Sequence, residues 1–436
     1  MNYELKLTKT MRITFMRSLQ AISLVLILSW LTLIQVNAQS LSIDSCYKLA
    51  RENYPMIKQL DLVEKTRQYS VENAGKAWLP QLNFNGQATY QSAVTSIPFE
   101  IPHVSIPTYS RDQYKIYGEV DQNIYDAGNV QNQKEEQNIN AAIQKQSTEV
   151  ILYALKDRIN QIFFGILLLD EQLKQNDILD STIQNNVNRM QAQVSNGVAL
   201  KSGLYELQAQ LLQQEQVGIQ YKASRKAYVD MLGTFINKQL SENTHLAEPQ
   251  MLSVSSTIKR SELTLYDFQR NSYDIQDKML NSNYLPRLSA FFQGGYGRPG
   301  LNLLSNDFSF YYIGGIKFSW SLGNLYTLNN NRQLDQIDRE QIDLQKQTFI
   351  LNTNIQLSQQ NGAILQLREI IQSDNDIVAK RKEVTDDAKI RMENGALTVH
   401  DYLGELDSEN QAIQNKLLHQ VQLIQAIYNY ENTSGN

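Results

Sequence analysis

The chain has 436 residues, 45 acidic against 40 basic side chains, four histidines and one cysteine. That mild acidity with no clustered basic face excludes a nucleic-acid footprint, and the lone Cys46 excludes an internal disulfide. Length alone would allow two or three ordinary domains, but an internal duplication overrides that count.

The N-terminus reads as a signal peptide over residues 1–38. Lys6, Lys9, Arg12 and Arg17 form a basic region, Ala21 to Ile34 an apolar one, and Val36-Asn37-Ala38 a small-residue cleavage site. The expected mature start is Gln39, and removal of the peptide leaves about 36 basic against 44 acidic residues. No later run of eighteen apolar residues exists to make a transmembrane helix. A transmembrane β-barrel stays open, because its strands carry a weaker signal.

From Ser42 to Trp78 the apolar residues keep helical spacing, until Pro80 stops the helix by removing a backbone donor. The period then changes to two. Leu82, Phe84, Gly86, Ala88 and Tyr90 alternate with Gln81, Asn83, Asn85, Gln87 and Thr89, a strand with one apolar and one polar face. A loop with Pro98, Pro102 and Pro107 leads to a second strand, Gln113 to Ile124. After Tyr125-Asp126-Ala127-Gly128 comes a long helix from Asn129 to Ser195, which would reach roughly 100 Å at 1.5 Å per residue. Asn196-Gly197 turns it, because both residues tolerate positive φ. The return helix is expected to close near Leu232-Gly233.

The order then repeats. A helix from Glu262 to Asn283 precedes Leu285-Pro286, as Leu79-Pro80 follows the first helix. Strands follow from Leu288 to Tyr296 and from Tyr312 to Leu322, separated by a loop over Arg298 to Asp307. A second long hairpin runs from Asn324 to Tyr430 and turns at Asn394-Gly395. The Leu-Pro landmarks lie 206 residues apart and the Asn-Gly landmarks 198. The expected organisation is signal peptide (1–38), repeat one (39–233), connecting segment (234–261), repeat two (262–432) and tail (433–436).

Four strands of about ten residues match the length that crosses a membrane as a β-barrel. Four cannot close, and open edges are not tolerated in lipid. Other copies of the chain must complete them: two give eight strands and a filled interior, three give twelve and room for water. Tyr90, Tyr109, Tyr114, Tyr125, Tyr284, Tyr311, Tyr312 and Trp320 near the strand ends are candidates for an interfacial belt.

The helix with Ala50 and Asn53-Tyr54-Pro55, the two Leu-Pro turns, Tyr125-Asp126-Ala127-Gly128, Arg158 to Phe164 and the two Asn-Gly tips together resemble the TolC family of outer-membrane efflux channels. The resemblance covers the mature chain from about Leu41 to Asn432. It implies an α+β membrane fold: a homotrimer whose 12-stranded barrel sits in outer-membrane lipid, with long antiparallel hairpins forming an α-barrel through the periplasm. It also implies two protein partners, a periplasmic adaptor and an inner-membrane transporter. The tips that meet the adaptor correspond to Gly197, Val198, Ala199 and Leu200, and to Gly395, Ala396, Leu397 and Thr398. The acidic mouth of the pore corresponds to Asp401, with Glu405 nearby. The family's acid after the first tip falls at Gly203 and its basic tip residue at Leu397, so its gate-locking ion pairs are expected to be absent.

The histidines, His103, His245, His400 and His419, show no metal spacing, and no phosphate loop or catalytic triad is present. The expected protein has no cofactor and is not an enzyme. It is a passive exit duct of a tripartite efflux pump. The rival readings are a duct for secreted polypeptides and an exported coiled-coil scaffold without a pore.

Overall fold

The computed structural model describes residues 40–95, 110–252, 255–302 and 305–436. The expected signal peptide with its cleavage site, the Pro98–Pro107 loop, His103 and Tyr109 lie outside the described residues.

Repeat one opens with helix α1 (Ile43–Asn53), a 3-10 turn at Pro55–Ile57 and helix α2 (Lys58–Gly75). The single helix expected from Ser42 to Trp78 is therefore divided. Pro55 holds the residue before it, Tyr54, extended at φ −67°, ψ 130°. Strands β1 (Gln81–Tyr90) and β2 (Asp112–Tyr125) follow, then α3 (Asn129–Tyr153), α4 (Leu155–Ser195) and α5 (Lys201–Ile236). Helices α3 and α4 are the expected long helix, interrupted only at Ala154, whose amide still reaches the Val150 carbonyl at 3.3 Å.

Helix α5 runs past its expected end at Gly233 and is capped by Asn237 in the left-handed region (φ 52°). Gly233 is needed for another reason. A Cβ there would lie 2.7 Å from the Lys238 carbonyl oxygen, where the chain doubles back. The segment that follows is pinned by the buried Arg225, which donates to the Asp170 carboxylate and to the carbonyls of Glu242 and Thr244.

Repeat two supplies α6 (Ser261–Asn283), β3 (Arg287–Arg298), β4 (Ser309–Ser319), α7 (Leu328–Glu393) and α8 (Val399–Ser434). The fourth strand ends three residues before Leu322, because residues 322–326 form a 3-10 turn. Trp320 lies beyond the strand and donates its indole N–H to the Tyr284 carbonyl at 3.0 Å. Helix α8 continues past Tyr430 to Ser434, and the Lys259 amide donates to the Ser434 carbonyl at 2.7 Å.

The strands form one antiparallel meander, β1-β2-β3-β4, with β1 and β4 as free edges. In register, Phe84, Gly118, Gly294 and Tyr312 share the apolar face, while Asn85, Tyr117, Gly295 and Tyr311 share the polar one. Tyr311 is thereby removed from the expected aromatic belt. Next to the strands the helices lie side by side in the order α2-α3-α6-α7, and farther away in the order α5-α4-α8-α7. No helix among the described residues is long and apolar enough to cross a membrane.

The main core joins α1, α4 and α5. Ile159, Phe163, Phe164, Ile166, Leu232 and Ile236 meet Ile43, Cys46 and Ala50 there. Burial pushes the Cys46 thiol up to about 12, so it stays protonated and inert at neutral pH.

Candidate functional site at the hairpin tips

Both tips are built by the same backbone chemistry. Gly197 (φ 74°) and Gly395 (φ 73°) follow helices that end at Asn196 and Asn394. At the first tip, the Gly197 amide donates to Val194 O at 3.1 Å and the Val198 amide to Gln193 O at 3.0 Å. At the second, the Gly395 amide donates to Met392 O at 3.1 Å and the Ala396 amide to Arg391 O at 2.8 Å. This paired closure satisfies carbonyls that a helix end leaves open, and it requires the left-handed residue.

The second tip carries a cap that the first lacks. Thr398 Oγ1 accepts the Asp401 amide at 3.1 Å and donates to Asp401 Oδ2 at 2.6 Å. A hydroxyl at the cap with an acid three residues on ties the helix start and places negative charge at its positive end. At the corresponding position of the first tip stands Leu200, whose side chain makes no cap.

The expected contact residues divide by burial. Val198, Leu200, Ala396 and Thr398 are exposed, whereas Ala199 and Leu397 are half-buried against a shared cluster. A Cβ on either tip glycine would meet open space. The tips therefore present small and apolar groups on a rigid turn. Of the expected pore-mouth acids, Asp401 is exposed within its cap. Glu405 lies 3.4 Å from the Arg381 guanidinium on the neighbouring helix.

The two hairpins are joined just behind the tips. Leu179, Ile183, Val187, Leu207, Met392, Leu403 and Leu406 pack in one cluster, and Val399 sits so close to Gly203 that a Cβ there would lie 2.9 Å from Val399 Cγ2. Inside it the buried Asn186 donates to the Tyr402 hydroxyl at 2.9 Å. Burial pushes the Tyr402 phenol up, partly offset by that hydrogen bond. An Arg189–Glu393 ion pair and a 2.9 Å bond from Gln210 to Asp407 flank it. Burial raises the Asp407 carboxyl above its ordinary value.

None of these cross-hairpin bonds was anticipated from sequence. The available signal was Asn186 itself, an amide at a seam position among Leu179, Ile183 and Met190, where a buried polar residue fixes helix register. Among the histidines, His419 Nδ1 lies 2.7 Å from the buried Asp374, and His400 is exposed. No group of residues able to hold a metal ion occurs among the described residues.

Residues 46–237 match the family of outer membrane efflux proteins. That match covers most of the first repeat. This is the TolC-type relationship suggested by the sequence landmarks. The whole fold is similar to that of the outer membrane protein VceC from Vibrio cholerae, with 12% identity and a TM-score of 0.64 over 90% of this chain and 96% of that one. It also resembles the Campylobacter jejuni CmeC outer membrane channel (13% identity, TM-score 0.63, 90% and 85% covered). The open state of the Neisseria gonorrhoeae MtrE outer membrane channel is similar as well (12%, 0.63, 90% and 89%). At such identities the likeness shows the fold. No curated protein matches this chain by sequence. The helical hairpins lie at one end of the sheet, and the strand ends at Tyr90, Asp112, Arg298 and Ser309 lie at the other.

Proposed function

We propose that three copies of this efflux protein close into a passive duct, with a 12-stranded barrel in the outer membrane and an α-barrel in the periplasm. The observation that carries this reading is that the two free sides of the chain are pseudo-equivalents of contacts already inside it. Within the chain the repeats meet through β2 with β3, α3 with α6, and α4 with α8. The duplication makes the corresponding contacts between copies β4 with β1, and α7 with both α2 and α5.

The surfaces that those contacts would cover are apolar at coiled-coil spacing. Helix α5 exposes Tyr205, Leu212 and Ile219, and α7 exposes Ile377, Val384 and Ile390. Counted back from their tips, these residues interleave as knobs and holes do. Nearer the sheet, α2 exposes Leu62 and Tyr69, and α7 exposes Leu334, Ile337, Leu344 and Leu351. Such head-to-tail contacts close into a ring when the rotation per copy divides a full turn. Three copies leave a water-filled interior.

In this duct the tips form the periplasmic mouth. Asp401, repeated by threefold symmetry, rings it with negative charge that concentrates cations, and the Asn186–Tyr402 junction holds the two hairpins of each chain together. Untwisting of the hairpins opens the mouth. The exposed small and apolar residues at Gly197–Leu200 and Gly395–Thr398 take a periplasmic adaptor, and an inner-membrane transporter supplies the energy for moving small molecules.

The test is single-channel recording from the purified mature protein, after its oligomer is checked on gels with and without heating. We expect a heat-labile trimer with a small steady conductance that divalent cations block from one side, and Asp401→Ala relieves the block. A soluble monomer that never inserts would sink the duct. Block unchanged in Asp401→Ala would remove that residue from the mouth.

A further inference from the structure

The polar face of the sheet carries a recess at its loop end that the conduit reading leaves without a role. Its floor is the register row Tyr117, Gly295 and Tyr311, together with Lys115 and Gln87 paired in the adjoining row nearer the loops. Gln293 and Ile313 close its lower end. All these strand residues point to the same face as Asn83 and Asn85. Rested on the duct reading, that face lines the lumen, and the recess lies where the lumen opens to the exterior.

The recess is shaped by glycines and by a folded-in loop. A Cβ at Gly295 would stand 2.6 Å from Tyr117 Cβ and 2.9 Å from Tyr311 Cζ, so the two phenol side chains close over a residue without one. A Cβ at Gly297 would stand 3.1 Å from Lys115 Cγ. From above, Pro299 is buried against this face, and with Gly300 and Leu301 it roofs a cavity of about 160 Å³. An apolar protein cavity of about 150 Å³ takes up benzene.

The chemistry of the lining selects among small molecules. Lys115, exposed and in no ion pair among the described residues, lines the recess together with two tyrosines and two glutamines. Aromatic rings stack on aromatic guests, and an ammonium favours a carboxylate by a charge-assisted bond. We propose that this recess is a cargo-contact subsite for small planar aromatic carboxylates, repeated in each copy around the exit. It would hold a leaving molecule briefly against the wall, with Lys115 on its acid and Tyr117 and Tyr311 on its ring.

The experiment uses benzoate as the probe on the full mature protein in a planar bilayer, added from the side of the strand loops. Benzoate is expected to reduce conductance in a saturable way, and acetate at equal concentration to do so far less. Lys115→Gln should raise the half-blocking concentration roughly tenfold, the scale of one lost bond to a charged group, while Lys115→Arg keeps the block. A conducting protein in which Lys115→Gln is blocked like the wild type, or acetate blocks like benzoate, overturns the subsite and leaves the duct standing. An inserted protein without conductance overturns the open-duct reading. Saturation-transfer NMR of benzoate with the solubilised protein then decides the subsite by itself. Ring-proton transfer that Lys115→Gln abolishes supports it, and equal transfer overturns it.

Discussion

The long helix of repeat one, α3 with α4, and helix α7 of repeat two occupy corresponding places, yet the chain treats them differently. Of the 66 residues of α3 and α4, 18 are buried, among them Ile159, Phe163 and Ile166. Of the 66 residues of α7, only eight are buried, and four of those are Asp or Thr. Its apolar residues instead lie exposed at Ile337, Leu344 and Leu351. A seven-residue step between exposed apolar residues is the mark of a helix made for another helix. The inner long helix is flanked by α5 and α8 of its own chain, whereas α7 stands at an edge. Within a duplicated chain, the difference between equivalent elements thus supports α7 as the face proposed for a second copy.

The sharpest way to break this comparison is charge on α7. Leu344→Glu with Leu351→Glu should leave the isolated chain folded and abolish the trimer, since each copy would bury two unpaired carboxylates at a cost of several kcal/mol apiece. Cross-linking and heated-against-unheated gels read the result. A normal trimer would show that α7 faces solvent in the assembly. Phe163→Ala, on the other helix, should act inside the subunit by roughly 3–5 kcal/mol, the usual cost of deleting a buried aromatic ring. It should lower the denaturant midpoint of the monomer and of the assembly alike. If Phe163→Ala spared the monomer while weakening only the trimer, the assignment of α4 to the subunit core would fail.

The same contrast explains which features were legible in the sequence. Strand alternation, the Leu-Pro turns and the Asn-Gly tips are local devices: proline removes a donor and glycine accepts positive φ wherever they stand. They located nearly every element. Local signals failed where tertiary packing set the requirement. Gly233 looked like a terminator, but it serves the return of the chain past Lys238, and the helix stops four residues later at Asn237. The tips themselves were legible, while their joint was not. Asn186 and Tyr402 are 216 residues apart on different hairpins, and no periodicity in either helix names the other. Thr398 and Asp401 form a cap in the structure, a role that competes with the pore-mouth role that the resemblance suggested.

The smallest effect is also the finest test of the duplication. In repeat one Glu64 of α2 pairs with Lys145 of α3, and in repeat two Arg270 of α6 lies 3.3 Å from Asp343 of α7. Counted from Pro80 and Pro286, and from the two tip turns, these are corresponding positions with the charges exchanged. The geometry of the pair has been kept while its sign was reversed. Hydrogen bonds from Arg67 and Lys145 hold the Glu64 carboxyl down at about 2, against an ordinary 4.5. A carboxyl lowered by folding stabilises the native state fully above its unfolded value. That contribution is lost as the pH falls from about 4.5 toward 2. Glu64→Gln should therefore flatten the acid limb of the stability profile, and only slightly, because both partners are solvated. The exchange Glu64→Lys with Lys145→Glu should cost less than the sum of its single changes, since repeat two already carries the pair in that sense. Additive costs in that double-mutant cycle would mean that the two pairs share a position in the sequence but not an environment.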